Sequence, residues 1–263
     1  MPQKSKTVQE LFDLTGRVAV VTGGSGLYGR QIAEALAEAG ARTIMASRNL
    51  EKLREQAEYF GKNGLKVEVL QYDQSSEESC KNLLGQVLDL AGKVDVLVNN
   101  SVLRTMKDWG DPATAFAKSM EVNATGIFVM TRVFGDQMAK QGSGSIINVG
   151  SIQGVVGPDF TLYEGLNWGA PPDYFFHKGG LLQLTRYAAS VLGPRGVRVN
   201  AISPGGYFTN QDESFVKRYN ARTFLGRMAN DTDIKGGIVF LASDASEYVT
   251  GANLAVDAGY TCK

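Results

Sequence analysis

The stretch VVTGGSGLYGRQIAEAL, Val20 to Leu36, runs from a continuously apolar segment through a cluster of glycines into an apolar pattern of helical period. Gly24, Gly26 and Gly29 satisfy G-x-G-x-x-G at the opening of that helix. Glycines at such a point allow a tight turn and close backbone approach, and the unsatisfied amides of the helix start attract a pyrophosphate. A glycine turn also serves structure alone, so its surroundings decide. The next apolar run ends in ARTIMASRN, where Ser47 and Arg48 stand at the place an NAD-type site gives to an acidic residue for the ribose hydroxyls. The carboxylate is missing and a guanidinium is present, which suits a 2′-phosphate and predicts NADP(H) in preference to NAD(H).

Short runs rich in Val and Ile recur along the chain: RVAVVT, TIMAS, KVEVLQ, VDVLVNN, SIINVGS, VRVNAIS and NLAVDAG. Most are apolar throughout, not alternating, so both faces are expected to be covered, as in a mainly parallel seven-stranded sheet. Helix-period segments lie between them, among them LEKLREQAEYFGKNG with Gly61 and Gly64 as stops. Strand followed by helix, repeated, predicts an α/β fold: one doubly wound Rossmann-type domain over 1–263, helices on both faces, with ligands outside the carboxyl ends of the strands.

Composition narrows the partners. Lys plus Arg and Asp plus Glu both number 27, so no overall basic field invites nucleic acid or an anionic membrane, and a small-molecule substrate is expected. The two cysteines, Cys80 and Cys262, have no metal-type spacing, and no metal is expected. Two thiols in such a chain predict a reducing compartment. No apolar run approaches a membrane span, and MPQKSKTVQELFDLTG lacks the apolar core of a secretion signal, so the expected location is the cytoplasm.

In PDYFFHKGG, Pro172 to Gly180, Tyr174 and Lys178 stand four positions apart and share one face if the segment is helical. Together with TGGSGLYG, the NNS of Asn99 to Ser101, the serine ending IINVGS and the later NAISPGGYFT, in that order, the chain resembles the short-chain dehydrogenase/reductase family from about Leu11 to Thr261. The resemblance implies that Ser151 hydrogen-bonds the substrate oxygen and that Tyr174 carries the proton. Lys178 then holds the nicotinamide ribose, and Asn123 in MEVNATG completes a proton relay. A phenol ordinarily titrates near 10, and a neighbouring ammonium favours phenolate. The resemblance also implies cofactor contacts from Gly23, Ser25, Tyr28 and Gly29 in the glycine turn, and from Asp73 and Asn100 after the third and fourth strands. Pro204, Gly205, Tyr207 and Thr209 in PGGYFT are placed around the carboxamide. Relatives commonly form dimers or tetramers, so a homotetramer or dimer is expected.

Three departures stand out. Leu27 replaces a small residue in the glycine turn, and Val102 replaces a glycine in the usual N-N-A-G. Tyr174 follows Ser151 by 23 positions, more than the family's usual gap, while Tyr163 sits nearer that gap but has the uncharged Asn167 as its i+4 partner. The lengthened stretch, about 152–173, offers Gln153, Tyr163, Glu164, Asn167 and Trp168 as substrate contacts, polar groups beside aromatic planes that suit a sugar, sugar acid or polyol. A second variable stretch, about 206–230, is expected to form a lid. His177 is expected only to fill space.

The resulting expectation is an NADP(H)-dependent oxidoreductase interconverting a secondary alcohol and a ketone, with Tyr174 as acid/base. The alternatives are an epimerase/dehydratase-like member, encouraged by the T-G-x-x-G-x-x-G spacing, and a cofactor-binding regulatory protein without turnover. Retention of Asn123, Ser151, Tyr174 and Lys178 together argues against the latter.

Overall fold

The computed structural model describes residues 5–262; residues 1–4 and 263 of the expected domain lie outside the described residues. Seven strands form: β1 Val18–Thr22, β2 Arg42–Ser47, β3 Val67–Gln71, β4 Val96–Asn99, β5 Gly144–Val149, β6 Val197–Pro204 and β7 Asn253–Val256. They pair in the order β3-β2-β1-β4-β5-β6-β7, every pair parallel. Nine α-helices accompany them among the described residues. These are α1 Val8–Phe12, α2 Leu27–Glu38, α3 Leu50–Lys62, α4 Glu77–Ala91, α5 Ala113–Met120, α6 Ile127–Gln141, α7 Pro172–Leu192, α8 Glu213–Asn220 and α9 Lys235–Ala242.

Alternation along the strands divides the core into two layers. Val18 and Val20 of β1 face Leu83 and Val87 of α4, Phe134 of α6 and Leu192 of α7. Ala19 and Val21 point the other way, into a layer with Ile32 and Leu36 of α2, Phe60 of α3 and Ile238 of α9. Both faces are therefore dry, which is why the strands read as unbroken apolar runs. The chain winds outward from β1 to β3, then returns to place β4 on the other side of β1. The crevice above β1 and β4 is thus the topological switch point, where doubly wound sheets take ligands.

Several boundaries differ from the expected ones by a residue or more, and contacts accompany three of the differences. Helix α3 continues through Gly61 and stops beyond Lys62, where Gly64 adopts φ +78° and Leu65 N–H closes onto the Phe60 carbonyl at 3.0 Å. Val94 does not enter β4, because its backbone is held at both ends by the Gln141 carboxamide, at 3.2 and 2.7 Å. β7 ends at Val256, where the Asp257 carboxylate accepts from Gly259 N–H and Thr261 N–H, each at 2.9 Å, and turns the chain. Among the described residues no helix is long and apolar enough to cross a membrane.

Candidate active site

A cleft of about 830 Å³ opens along the carboxyl ends of β1 to β6. At its β1 side, Gly23 takes φ +65°, and a Cβ there would stand 3.0 Å from the Ser101 Cα. Gly26 caps α2 with no side-chain bond, leaving the first-turn amides open to an anion. Gly29 does not line the cleft; a Cβ on it would collide with the Gly23 carbonyl at 2.0 Å, so its absence of a side chain lets α2 sit under the turn. Asn100 braces the same turn, donating to the carbonyls of Thr22 and Gly23 at 3.0 and 3.1 Å. Tyr28 reaches across to the Gly205 carbonyl at 2.9 Å, and its ring meets Tyr207 edge-on at 5.5 Å. These contacts tie the glycine turn to the loop after β6.

Ser25, Ser47, Arg48 and Asp73 line the same end. Arg48 is exposed, with its carbonyl accepting from Gln71 Nε2 at 2.9 Å. The Asp73 carboxylate accepts from the Ser75 amide and hydroxyl at 2.9 and 2.8 Å, and these bonds hold its carboxyl below the usual range, with a smaller contribution from Arg48. Pro204, Gly205, Tyr207 and Thr209 line the cleft farther along, with the Tyr207 hydroxyl donating to Asp231. Open helix amides, a glycine hollow and a cation where the ribose is expected fit a nicotinamide dinucleotide.

At the reaction end, β5 delivers Ser151 and α7 delivers Tyr174 and Lys178 into one wall. The short turn Ile152–Gly154 lies directly on α7: a Cβ at Gly154 would stand 2.7 Å from the Lys178 carbonyl. Below, a buried chain of amides and hydroxyls sets the height of α7. Asn99 donates to Asn148 at 2.9 Å, Asn148 to Thr185 at 2.9 Å, and Thr185 to the Leu181 carbonyl at 2.8 Å. Lys178 is 4% exposed and donates to the Val149 carbonyl at 2.5 Å. Burial, and then the charge of Arg104, pushes its ammonium down to about 7. The Lys178 nitrogen lies 5.6 Å from the centre of the Tyr174 ring.

Asn123 occupies a π-helical turn, Glu121–Gly126, between α5 and α6, a distortion frequent at functional sites. Its side chain does not line the cleft. The oxygen accepts from Leu103 N–H at 2.8 Å, and the nitrogen donates to the Leu103 carbonyl at 2.7 Å and to Ser119 Oγ at 2.9 Å. It thereby pins the segment after β4. That segment carries Arg104, which sequence reasoning missed: its guanidinium sits over the Tyr174 ring, 4.5 Å from the centre. A lone arginine five positions beyond the Asn99 that ends β4 was the available signal.

His177 is buried edge-on to Tyr174 at 5.0 Å, with both ring nitrogens lacking a hydrogen-bond partner, and burial lowers it to about 3. It is a neutral, space-filling ring. Gln153, Tyr163 and Trp168 line the cleft, whereas Glu164 and Asn167 face an adjoining cavity instead. The two variable stretches clasp each other: Arg218 of α8 donates to the carbonyls of Leu162 and Glu164 at 3.1 and 2.9 Å, and Arg222 pairs with Asp159. Tyr163, Trp168 and Phe215 meet beneath this clasp with ring centres 4.8 to 5.6 Å apart.

Comparison with known proteins agrees with this geometry. The sequence family described as enoyl-(acyl carrier protein) reductase matches residues 25–261. An uncharacterized oxidoreductase of Thermotoga maritima is 34% identical over 261 residues, covering 95% of this chain and 98% of that protein. Galactitol 2-dehydrogenase (L-tagatose-forming) of Cereibacter sphaeroides is 33% identical over 261 residues, covering 95% and 97%. Among solved structures, a gluconate 5-dehydrogenase from Burkholderia cenocepacia in complex with NADP and tartrate superposes with a TM-score of 0.87 at 28% identity, covering 98% of this chain and all of the other. With a parallel sheet in the family's order and matches along almost its whole length, the chain belongs to the short-chain dehydrogenase/reductase family, oxidoreductases that act on CH–OH groups with a nicotinamide cofactor.

Proposed function

We propose that the protein is an NADP(H)-dependent dehydrogenase/reductase that interconverts a secondary alcohol and a ketone on a small polyhydroxylated substrate, a sugar acid foremost. The observation that carries this reading is the cationic character of the reaction end. Arg104 lies over the Tyr174 ring and Lys178 lies beside it, both lining the cleft with Ser151. A substrate carboxylate is the natural partner for a guanidinium so placed. The tartrate and NADP named for the Burkholderia structure support an acid substrate and this cofactor, and the sugar alcohol named for the Cereibacter enzyme supports only the polyhydroxylated character.

A nicotinamide held in the cleft would supply or accept the hydride. Ser151 holds the substrate oxygen by hydrogen bonding. In oxidation Tyr174 takes the hydroxyl proton as the carbon gives up its hydride; in reduction the same phenol returns a proton to the carbonyl oxygen. Lys178 brings its charge to the phenol and would donate to a ribose hydroxyl of the cofactor. Asn123 fixes Leu103 and hence Arg104 through its side chain, and its place in the proton relay that the family resemblance implies is kept in this reading. Arg48 would meet the 2′-phosphate.

Self-association belongs to the same reading. Phe176, Tyr187 and Val191 on α7 and Phe128 on α6 are exposed, and the α7 residues recur at helical spacing. A dimer or tetramer would cover them, and the two free cysteines fit a reducing cytoplasm.

The test is to follow the reduced cofactor while aldonates, matched neutral polyols and their keto forms are offered with NADP(H) or NAD(H). Faster use of the acids with NADP+ is expected. Equal use of acids and neutral polyols, unchanged in Arg104→Ala, would overturn the substrate class.

A further inference from the structure

A second cavity, of about 740 Å³, adjoins the catalytic cleft. Tyr163, Trp168 and Phe175 line both, so the two meet at these side chains. Its outer side comes from two places: the turn around Lys107–Trp109 and the residues between Phe160 and Pro172. The latter lie within the stretch that separates Ser151 from Tyr174 by an unusual length, so the added chain supplies much of this open cavity's lining.

Both tryptophans of the sequence line this chamber. Trp109 is 88% exposed, at the tip of a turn where Asp111 accepts from the amides of Lys107 and Asp108 at 2.5 and 3.2 Å. Trp168 is 42% exposed, its ring locked between Tyr163 at 5.3 Å and Phe215 at 4.8 Å. Phe160 adds a third open aromatic, and Glu164 and Asn167 add a carboxylate and a carboxamide. Flat aromatic faces interleaved with hydrogen-bonding groups match a pyranose ring, whose C–H face is apolar and whose rim is hydroxylated. An acyl chain would leave the Glu164 and Asn167 heads facing hydrocarbon, which costs their hydration. The volume lies in the range of a whole ligand pocket, roughly 300–1,000 Å³.

We infer that the adjoining chamber is a second sugar subsite, and that the substrate is a sugar acid bearing a further pyranosyl ring. The inference rests on the substrate class proposed above. The inner unit presents its carbinol to Tyr174 and its carboxylate to Arg104. The outer ring lies across the tryptophan faces with its hydroxyls toward Glu164 and Asn167.

The test uses the NADP+-loaded protein, titrated separately with cellobionate, gluconate and octanoate. Fluorescence of the two tryptophans and the heat of binding are followed together. Cellobionate is expected to bind at least about tenfold more tightly than gluconate, the equivalent of about 1.4 kcal/mol. Trp109→Ala should erase that advantage and leave gluconate affinity as it was, with Phe160→Ala as a second variant should the first lose the turn. Equal affinities for the two acids, no saturable binding of cellobionate, or a preference for octanoate that Trp109→Ala removes would each overturn the subsite. Equal affinities with NADP+-linked oxidation of gluconate intact would sink the subsite alone. Failure of the wild-type protein to oxidise any sugar acid would sink the proposed function, while the titrations still judge the chamber.

Discussion

The two ends of the catalytic cleft are built by different means. At the β1–β3 end, exposed or half-buried groups project from turns whose conformation is settled within a few residues: Gly23 at positive φ, Asp73 bound to Ser75, Arg48 open to solvent. At the reaction end, charge is placed inside the protein. Lys178 is almost wholly buried, and Asp173, in the first turn of α7, is 2% exposed with one oxygen unpartnered. Buried polar groups without full partners are costly, and they concentrate where chemistry needs them. Recognition at one end therefore draws on local turns and solvated charge, whereas the other end draws on desolvation that the rest of the fold must offset.

The largest expected effect belongs to the reaction end. Tyr174→Phe removes a proton carrier and almost no volume, so kcat should fall by about 10²–10⁴ with the reduced-cofactor affinity retained. Turnover within a few-fold of wild type would move the acid/base role elsewhere and dissolve the contrast.

Next comes Arg104. A hydrogen bond to a charged group contributes about 1.5–3 kcal/mol, so Arg104→Ala should raise the KM for an acid substrate about 10- to 100-fold and leave a neutral polyol little changed. Arg104→Lys should restore part of the loss. An equal penalty on acid and polyol would make Arg104 a structural brace.

The β1–β3 end should respond more gently, because Arg48 is solvated. Arg48→Ala is expected to weaken NADP(H) about tenfold, at the low end of the same range, without affecting NAD(H), as read by dissociation constants for both. Ser47→Asp should swing preference toward NAD(H) by adding a ribose acceptor and a charge that repels the phosphate. An Arg48→Ala variant that weakens both cofactors alike would refute the assignment.

The smallest effect is on stability. Lys178 titrates at about 7 in the folded protein against its ordinary 10.5, so between those values the unfolded chain holds a proton that the folded chain has released. Its contribution to stability is therefore greatest above about pH 10.5 and is lost as the pH falls toward 7. Lys178→Met should flatten that window and raise the Tm of the cofactor-free protein at pH 7, while abolishing turnover. Parallel Tm–pH curves for the two proteins would show that the ammonium is not desolvated as the geometry requires.

The sequence by itself determined the seven strands, their parallel sense, the glycine turn, and the sharing of one helix face by Tyr174 and Lys178. Each of these is a matter of local period or of a short motif: an unbroken apolar run, a glycine before a helix, a spacing of four. The insertion was legible too, since a count of residues exposes it. Only the tertiary structure decided what the insertion does. Glu164 and Asn167 lie between Tyr163 and Trp168 in sequence, yet the first pair lines only the adjoining cavity while the second lines both that cavity and the cleft. It also decided that Gly29 is a packing residue, that Asn123 grips Leu103, and that Arg104 lies over a ring 70 positions away. Such contacts depend on where β4, β5 and α7 come to rest against one another, and packing between elements distant in sequence leaves no period or motif in the chain itself.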